Sequence, residues 1–342
     1  MNTQLLLFIA VIVYLLYRYR RRLLVDECPR LNFEAFEGDV YQVGETYVAR
    51  RKAAKKPKQS IICIHGFVED MRYFTELYED PHIELILVTN SGYHCPFSTK
   101  DLIQPEWAEA NPFLPYSIEY DAFALRLAVE NLATTSKVKL HGHSRGGAVV
   151  LDAMRQSPAT LSKSEVILEA AVLPQGKALF GRSMSLPTIM EWIFPISLGL
   201  MSKVPFHWYA ELALKPLNAR KKVLLPGLWF NAKNQQVVLE NLRSMGDWSA
   251  KTDYSIYNNI EKGTFLIGQI DNVLDRAGMI DSAERAHDGF NIILTEGTTH
   301  FISLEEPKYA RALAEQTVAT GNKKAKRTKG KSKETLDERK IS

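Results

Sequence analysis

A chain of 342 residues that is 46% hydrophobic suits one large domain carrying an insertion and argues against two unrelated domains. The formal charge of +4 is unevenly spread: four arginines lie between 18 and 22, and residues 321–342 hold nine Lys or Arg against three acids, so the body between the ends is net acidic. Three cysteines, Cys28, Cys63 and Cys95, are odd in number and lack paired spacing, which does not look like a disulfide framework; Cys63 reads as a core strand residue.

Residues 5–17 carry no charge and run directly into Arg18, Arg20, Arg21 and Arg22. A secretory signal would place its basic residues before the apolar run and a small-residue cleavage site after it, and neither pattern occurs. The expectation for residues 1–24 is therefore a membrane anchor with a basic flank, forming one transmembrane helix. The run is shorter than the roughly 20 residues of a usual span. Tyr14, Tyr17 and Tyr19 at headgroup level and snorkelling arginines extend its reach. Arginines on the C-terminal flank predict that the rest of the chain lies on the cytoplasmic side.

Residues 32–51 read as entry strands, with 41–43 and 46–49 pairing around Gly44. Residues 61–64 form a continuous apolar run ending in His65-Gly66-Phe67, as a buried strand followed by a tight turn would. The next apolar strand spans 84–89, and residues 90–93 form a loop after it. Residues 118–132 space Phe123, Leu125, Leu127, Ala128 and Leu132 among Glu119, Asp121, Arg126 and Glu130, which predicts an amphipathic helix on the sheet. Strand signals recur at 137–140 and 166–172, and the alternation with helices predicts a mostly parallel sheet covered on both faces.

Between them lies His141-Gly142-His143-Ser144-Arg145-Gly146-Gly147, a serine flanked at two residues on each side by glycine. A sharp strand-to-helix elbow strains the serine backbone and needs residues without bulk at those flanking positions. The pentapeptide alone is weak, because a serine beside glycines often only caps a helix. Later, residues 264–271 form an apolar strand ending in Gly268-Gln269-Ile270-Asp271, and residues 291–294 precede Gly297-Thr298-Thr299-His300-Phe301. A serine hydroxyl needs an imidazole to take its proton, and the imidazolium needs a carboxylate to hold its tautomer, so these two later residues supply the missing partners.

These four motifs, in this order, resemble the α/β-hydrolase family over about residues 35–317. The resemblance implies Ser144 as nucleophile, His300 as general base and then acid, and Asp271 as the group orienting His300. It also implies an oxyanion hole made by the backbone N–H groups of Phe67 and Arg145. Asp275, Asp253 and Asp281 remain alternatives for the acid, with Asp271 preferred because Gly-x-x-Asp directly ends the strand. The other seven histidines, including His65, His141 and His143, read as hydrogen-bonded structural residues. His141 and His143 alternate on one strand, but no Cys or carboxylate cluster at ligand spacing joins them, so neither a metal nor a cofactor is expected.

The hydrolase domain is expected over 32–320, with a helical cap inserted over about 175–259. That insertion is rich in bulky apolar residues, among them Trp192, Ile193, Phe194, Leu198, Leu200 and Trp208. It is expected to pack as core or to form a lid that holds an acyl chain or dips toward the bilayer. The basic tail, 321–342, reads as disordered and attracted to anionic lipid; it lacks the interleaved aromatics of a nucleic-acid binder. The expected activity is hydrolysis of a lipid-like carboxylic ester through an acyl-enzyme. A thioesterase, amidase or acyltransferase shares that intermediate, and a catalytically silent membrane adaptor is the alternative from another class. Serine at the elbow counts against epoxide opening or dehalogenation, which use aspartate there.

Overall fold

The computed structural model describes residues 3–25, 33–98, 101–176, 188–205, 208, 215–224 and 234–315. The expected basic tail, Cys28, His207 and parts of the cap lie outside them. Among the described residues ten strands occur: β1 (Glu34–Ala35), β2 (Asp39–Val43), β3 (Thr46–Arg51), β4 (Gln59–Ile64), β5 (Ile83–Val88), β6 (Phe97–Ser98), β7 (Val138–His143), β8 (Glu165–Glu169), β9 (Lys262–Gly268) and β10 (Phe290–Thr295). Strands β1 and β6 form a small separate pair, and the other eight form one sheet in the order β10-β9-β8-β7-β4-β5-β3-β2.

Every pairing from β10 to β5 is parallel, whereas β2–β3 and β3–β5 are antiparallel. The β2–β3 hairpin turns at Gly44, whose φ of 60° is open to glycine without a Cβ clash. Strand β8 ends at Glu169, three residues short of the apolar run that predicts it, because Ala170 takes a left-handed φ of 41°.

The described α-helices are α1 (Thr3–Leu23), α2 (Ile118–Leu132), α3 (Arg145–Gln156), α4 (Pro158–Leu161), α5 (Thr188–Met201), α6 (Ala219–Leu224), α7 (Gln235–Lys251), α8 (Arg276–Glu284), α9 (Ile302–Glu305) and α10 (Lys308–Glu315). Successive strand side chains point to opposite faces, so the central strands feed two cores. Ile62 and Ile64 pack with Leu125 and Ala128 of α2 and Val149 and Val150 of α3. Ile61 and Cys63 pack on the other face with Met71, Phe74, Tyr78 and Leu313 of α10. Both faces are therefore apolar along one strand, which is why residues 61–64 read as an unbroken hydrophobic run.

Helix α1 is 21 residues long, with mean hydropathy 1.3 and no buried residue, long and apolar enough to cross a membrane. The segments after β4, β5, β7, β9 and β10 all emerge at the same sheet edge, the carboxyl ends of the parallel strands. Open α/β sheets form their sites at that edge.

Candidate active site

Ser144 stands between β7 and α3 with φ 52° and ψ −118°, a region that costs a non-glycine residue energy. It precedes the helix without making a side-chain capping bond, so its hydroxyl is not consumed by the role most serines play there. The bend is held by its backbone: Ser144 N–H donates to Glu169 O at 2.9 Å, and Ser144 O accepts from Gly147 N–H and Val172 N–H. The flanking glycines are required by close approach. A Cβ on Gly142 would lie 2.4 Å from Gly146 O, and one on Gly146 would lie 2.3 Å from Ile64 O. Gly142→Ala is expected to cost about 1–3 kcal/mol as strand and helix are forced apart. Chemical unfolding of the two proteins checks this, and an unchanged midpoint would contradict the steric account.

Asp271 follows β9 and His300 follows β10, and parallel pairing of those strands brings the two side chains together: His300 Nδ1 lies 2.8 Å from Asp271 Oδ2. The other oxygen of Asp271 accepts the backbone N–H groups of Val273 and Leu274 at 2.8 and 2.9 Å. Burial would raise the Asp271 pKa, but the adjoining His300 and these donors hold it below its ordinary value. The three alternative acids are engaged elsewhere. Asp275 caps α8 through Ala277 N–H, Asp253 accepts Ser255 N–H, and Asp281 faces Arg285, the residue that ends α8.

The turn after β4 meets Ser144 directly, since a Cβ on Gly66 would stand 2.8 Å from Ser144 Cβ. Phe67 is the next residue, and Arg145 opens α3, where the first backbone N–H groups have no acceptor within the helix. Side chains that hold this turn were not evident from sequence. Asn90, after β5, donates through Nδ2 to the carbonyls of His65 and Gly66, while His65 Nε2 accepts Asn90 N–H. That leaves the His65 proton on Nδ1, 2.8 Å from Gly66 O, and burial lowers its pKa, so the ring is neutral. The Arg145 guanidinium, fully buried, donates to Asn90 Oδ1, Asp121 Oδ2 and Tyr116 O. Asp121 in turn accepts Ser91 N–H at 2.7 Å. The amphipathic pattern places Asp121 among the charged residues of α2; it is buried instead, because it is the counter-ion of Arg145.

Beneath the elbow, His141 and His143 are buried and hydrogen-bonded, as expected of structural histidines, and both are paired with glutamates. His141 Nε2 lies 2.8 Å from Glu169 Oε2 and its Nδ1 lies 2.7 Å from Tyr78 Oη. Glu169 also accepts from Tyr73 Oη and from the backbone and hydroxyl of Ser303. Although burial raises the Glu169 pKa, the His141 hydrogen bond, the charge of His143 and His141, and the Ser303 hydroxyl bring it down to about 2. His143 Nδ1 lies 2.8 Å from Glu69 Oε2, and its Nε2 lies 2.9 Å from His300 O. Both partners are acceptors, so both ring nitrogens carry protons. Glu69 also accepts Gly66 N–H, tying the turn after β4 to the backbone of His300 through one carboxylate and one imidazolium. Tyr73 stacks on the His143 ring at 4.3 Å.

Burial opposes the charge on His143, but Glu69 overcomes it and raises the pKa to about 9. Since the folded value exceeds the unfolded value of about 6.5, this stabilisation is complete below pH 6.5 and is lost as pH rises through about 9. The expected loss is about 3 kcal/mol between those limits. Urea unfolding at pH 6.5 and 9.5 tests it: His143→Gln should lack this part of the pH slope, and equal slopes would contradict it. Among the described residues no group of three or more His, Cys, Asp or Glu is arranged to hold a metal ion.

No family model matches the chain, and no curated protein matches it by sequence. Solved structures do. An esterase from Exiguobacterium antarcticum superposes with a TM-score of 0.53 at 15% identity, covering 81% of this chain and 98% of that one. A thermophilic esterase from Thermogutta terrifontis gives 0.53 at 17% identity over 80% and 93%. A bromoperoxidase from Bacillus anthracis gives 0.51 at 14% identity over 81% and 98%. With the sheet order and the elbow, these likenesses establish that the chain has the α/β-hydrolase fold.

Proposed function

We propose that the protein is a membrane-anchored serine hydrolase cleaving carboxylic esters of lipid-like acyl substrates, such as a monoacylglycerol or a lysophospholipid. The observation that carries this reading is a strained serine with no capping bond at the end of β7, on the same sheet edge as a buried His300–Asp271 pair. Esterases among the structures of similar fold support it.

In this reading Ser144 Oγ attacks the ester carbonyl carbon while His300 Nε2 takes the hydroxyl proton, and Asp271 holds the Nδ1–H tautomer and the imidazolium that forms. The tetrahedral oxyanion is stabilised by the N–H groups of Phe67 and Arg145, where losing one donor typically costs about 3 kcal/mol. The proton then passes from His300 to the leaving alcohol. Water, deprotonated by His300, cleaves the acyl-enzyme and regenerates Ser144. The long, wholly unburied apolar helix α1 and its arginine flank support the anchor, and the arginines support a cytoplasmic position for the catalytic domain. Bulky apolar residues of the cap favour an acyl chain over a polar substrate.

Hydrolysis of p-nitrophenyl esters from two to sixteen carbons by the full chain in detergent tests this assignment. It predicts activity that disappears in Ser144→Ala, with an optimum at long acyl chains. A folded protein inactive at every length would favour a silent membrane adaptor.

A further inference from the structure

Helix α5 of the cap does not run alongside α1; it lies across the foot of it. Arg20 Nε donates to Trp192 O at 3.0 Å, with its guanidinium 6.0 Å from the Trp192 ring. The neighbouring residue Tyr19 lies under Lys203, whose Nζ is 5.2 Å from the ring. Trp192 lies in the first half of α5 and Lys203 in the turn just past its end at Met201, yet they meet adjacent residues of α1. Between them Leu23 presses on Gly199, where a Cβ would lie 2.5 Å from Leu23 Cδ1. Two helices packed side by side would advance together along both axes, so these contacts describe a crossing.

The remaining sides of α5 are sharply divided. Ile196 and Leu198 are buried, and Phe194 packs on a small cluster of Val68, Tyr93 and Val238, against which Phe67 of the turn after β4 also packs. Ile193, Leu200 and Met201 recur at the spacing of a single helical stripe and are all exposed, Leu200 to 55%, and Val204, in the turn after the helix, is exposed with them. That stripe points away from the domain, and the exposed length of α1 departs in the same sense, because none of its residues is buried against the body. The arginines that end α1 lie at this junction.

We infer that the exposed stripe of α5 is a docking surface for a phospholipid bilayer, lying in the interface of the leaflet where α1 ends. A helix lying across a spanning helix runs in the membrane plane, with its apolar face sunk about 5–10 Å into the headgroup and acyl boundary. Arginines at the junction match anionic headgroups. Continuity with α1 selects the bilayer over a second protein as occupant, because α1 fixes the height at which α5 sits. Phe194 then joins the lipid-facing helix to the residues around Phe67, so an ester drawn from the leaflet meets the site without crossing water. This inference rests on the anchor and the lipid ester proposed above.

Nitroxide labels at Val13→Cys, Leu200→Cys and Glu296→Cys, each in the full chain with Cys28 and Cys95 replaced by serine, test it; buried Cys63 stays unlabelled. The protein is placed in phosphatidylcholine–phosphatidylglycerol vesicles, and collisions with oxygen and with a nickel chelate are compared. The expected result is oxygen-dominated relaxation at Val13 and, at shallower depth, at Leu200, with nickel dominating at Glu296. Nickel access at Leu200 with Val13 in the bilayer overturns the docking surface alone. Shielding of Leu200 from both reagents also overturns it, by placing a protein there. Nickel access at Val13 overturns the anchor and the docking surface together. A second arm, Leu200→Glu with Met201→Glu, should keep hydrolysis of a soluble short-chain ester within twofold while cutting that of a vesicle-borne monoacylglycerol at least tenfold. Equal losses on both substrates would overturn it, and absence of any hydrolysis by the parent protein would sink the esterase reading while leaving the label results to decide this one.

Discussion

Asp271→Asn is expected to lower kcat for ester hydrolysis by about 10⁴ while leaving the protein folded. The reason lies in how the carboxylate is held. One oxygen accepts two backbone N–H groups, from Val273 and Leu274, and the other faces His300 Nδ1. An asparagine must keep its carbonyl on the two backbone donors, so its NH2 group faces the ring. His300 then has to accept at Nδ1 and carry its proton on Nε2, the nitrogen that receives the serine proton in the proposed mechanism. The imidazole is present but in the wrong tautomer. Steady-state kinetics beside a thermal unfolding curve separates this from loss of structure. A loss of less than tenfold in a folded variant would show that Asp271 does not set the tautomer.

The second large effect falls on stability. Asp121→Ala should cost about 3–5 kcal/mol, because it leaves the buried guanidinium of Arg145 without its counter-ion. Arg145 retains Asn90 and Tyr116 as neutral acceptors, but its Nε already has no hydrogen-bond partner among the described residues. Activity should fall as well, since Arg145 orients the Asn90 side chain that holds the carbonyls of His65 and Gly66. The double substitution Asp121→Leu with Arg145→Met removes both charges and should recover much of the stability. It should not recover kcat, because Asn90 has still lost its donor. Recovery of both would mean that the pair only fills space, and full stability of Asp121→Ala would mean that no buried charge is being compensated.

What could be read from sequence was what local sterics and strand periodicity write into short segments. The elbow needs glycine two residues to either side of Ser144, and a Cβ at either would strike backbone. The run at 61–64 is apolar on every residue because β4 is buried on both faces. Asp271 and His300 each closely follow a strand, so their motifs survive without knowledge of the pairing, although only the β9–β10 pairing brings them within 2.8 Å. The supporting charges were illegible for the opposite reason. Glu69 meets His143 and Asp121 meets Arg145 across 74 and 24 residues, and in sequence each is one more acid in a turn or a helix. A signal existed for Asp121: it lies in the same helical turn as Ile118 and Ala122, both buried. The crossing of α1 and α5 has no short-range signature at all, since it depends on Gly199 admitting Leu23 from 176 residues away.

Every activity proposed for this chain requires Ser144 to be an activated nucleophile. Incubating the full-length protein with a fluorophosphonate, then mapping the adduct by peptide mass spectrometry, addresses it without any choice of substrate. The expected result is stoichiometric phosphonylation at Ser144, abolished in Ser144→Ala and greatly slowed in Asp271→Asn. A folded protein that remains unlabelled, or that is labelled equally in Ser144→Ala, would contradict it.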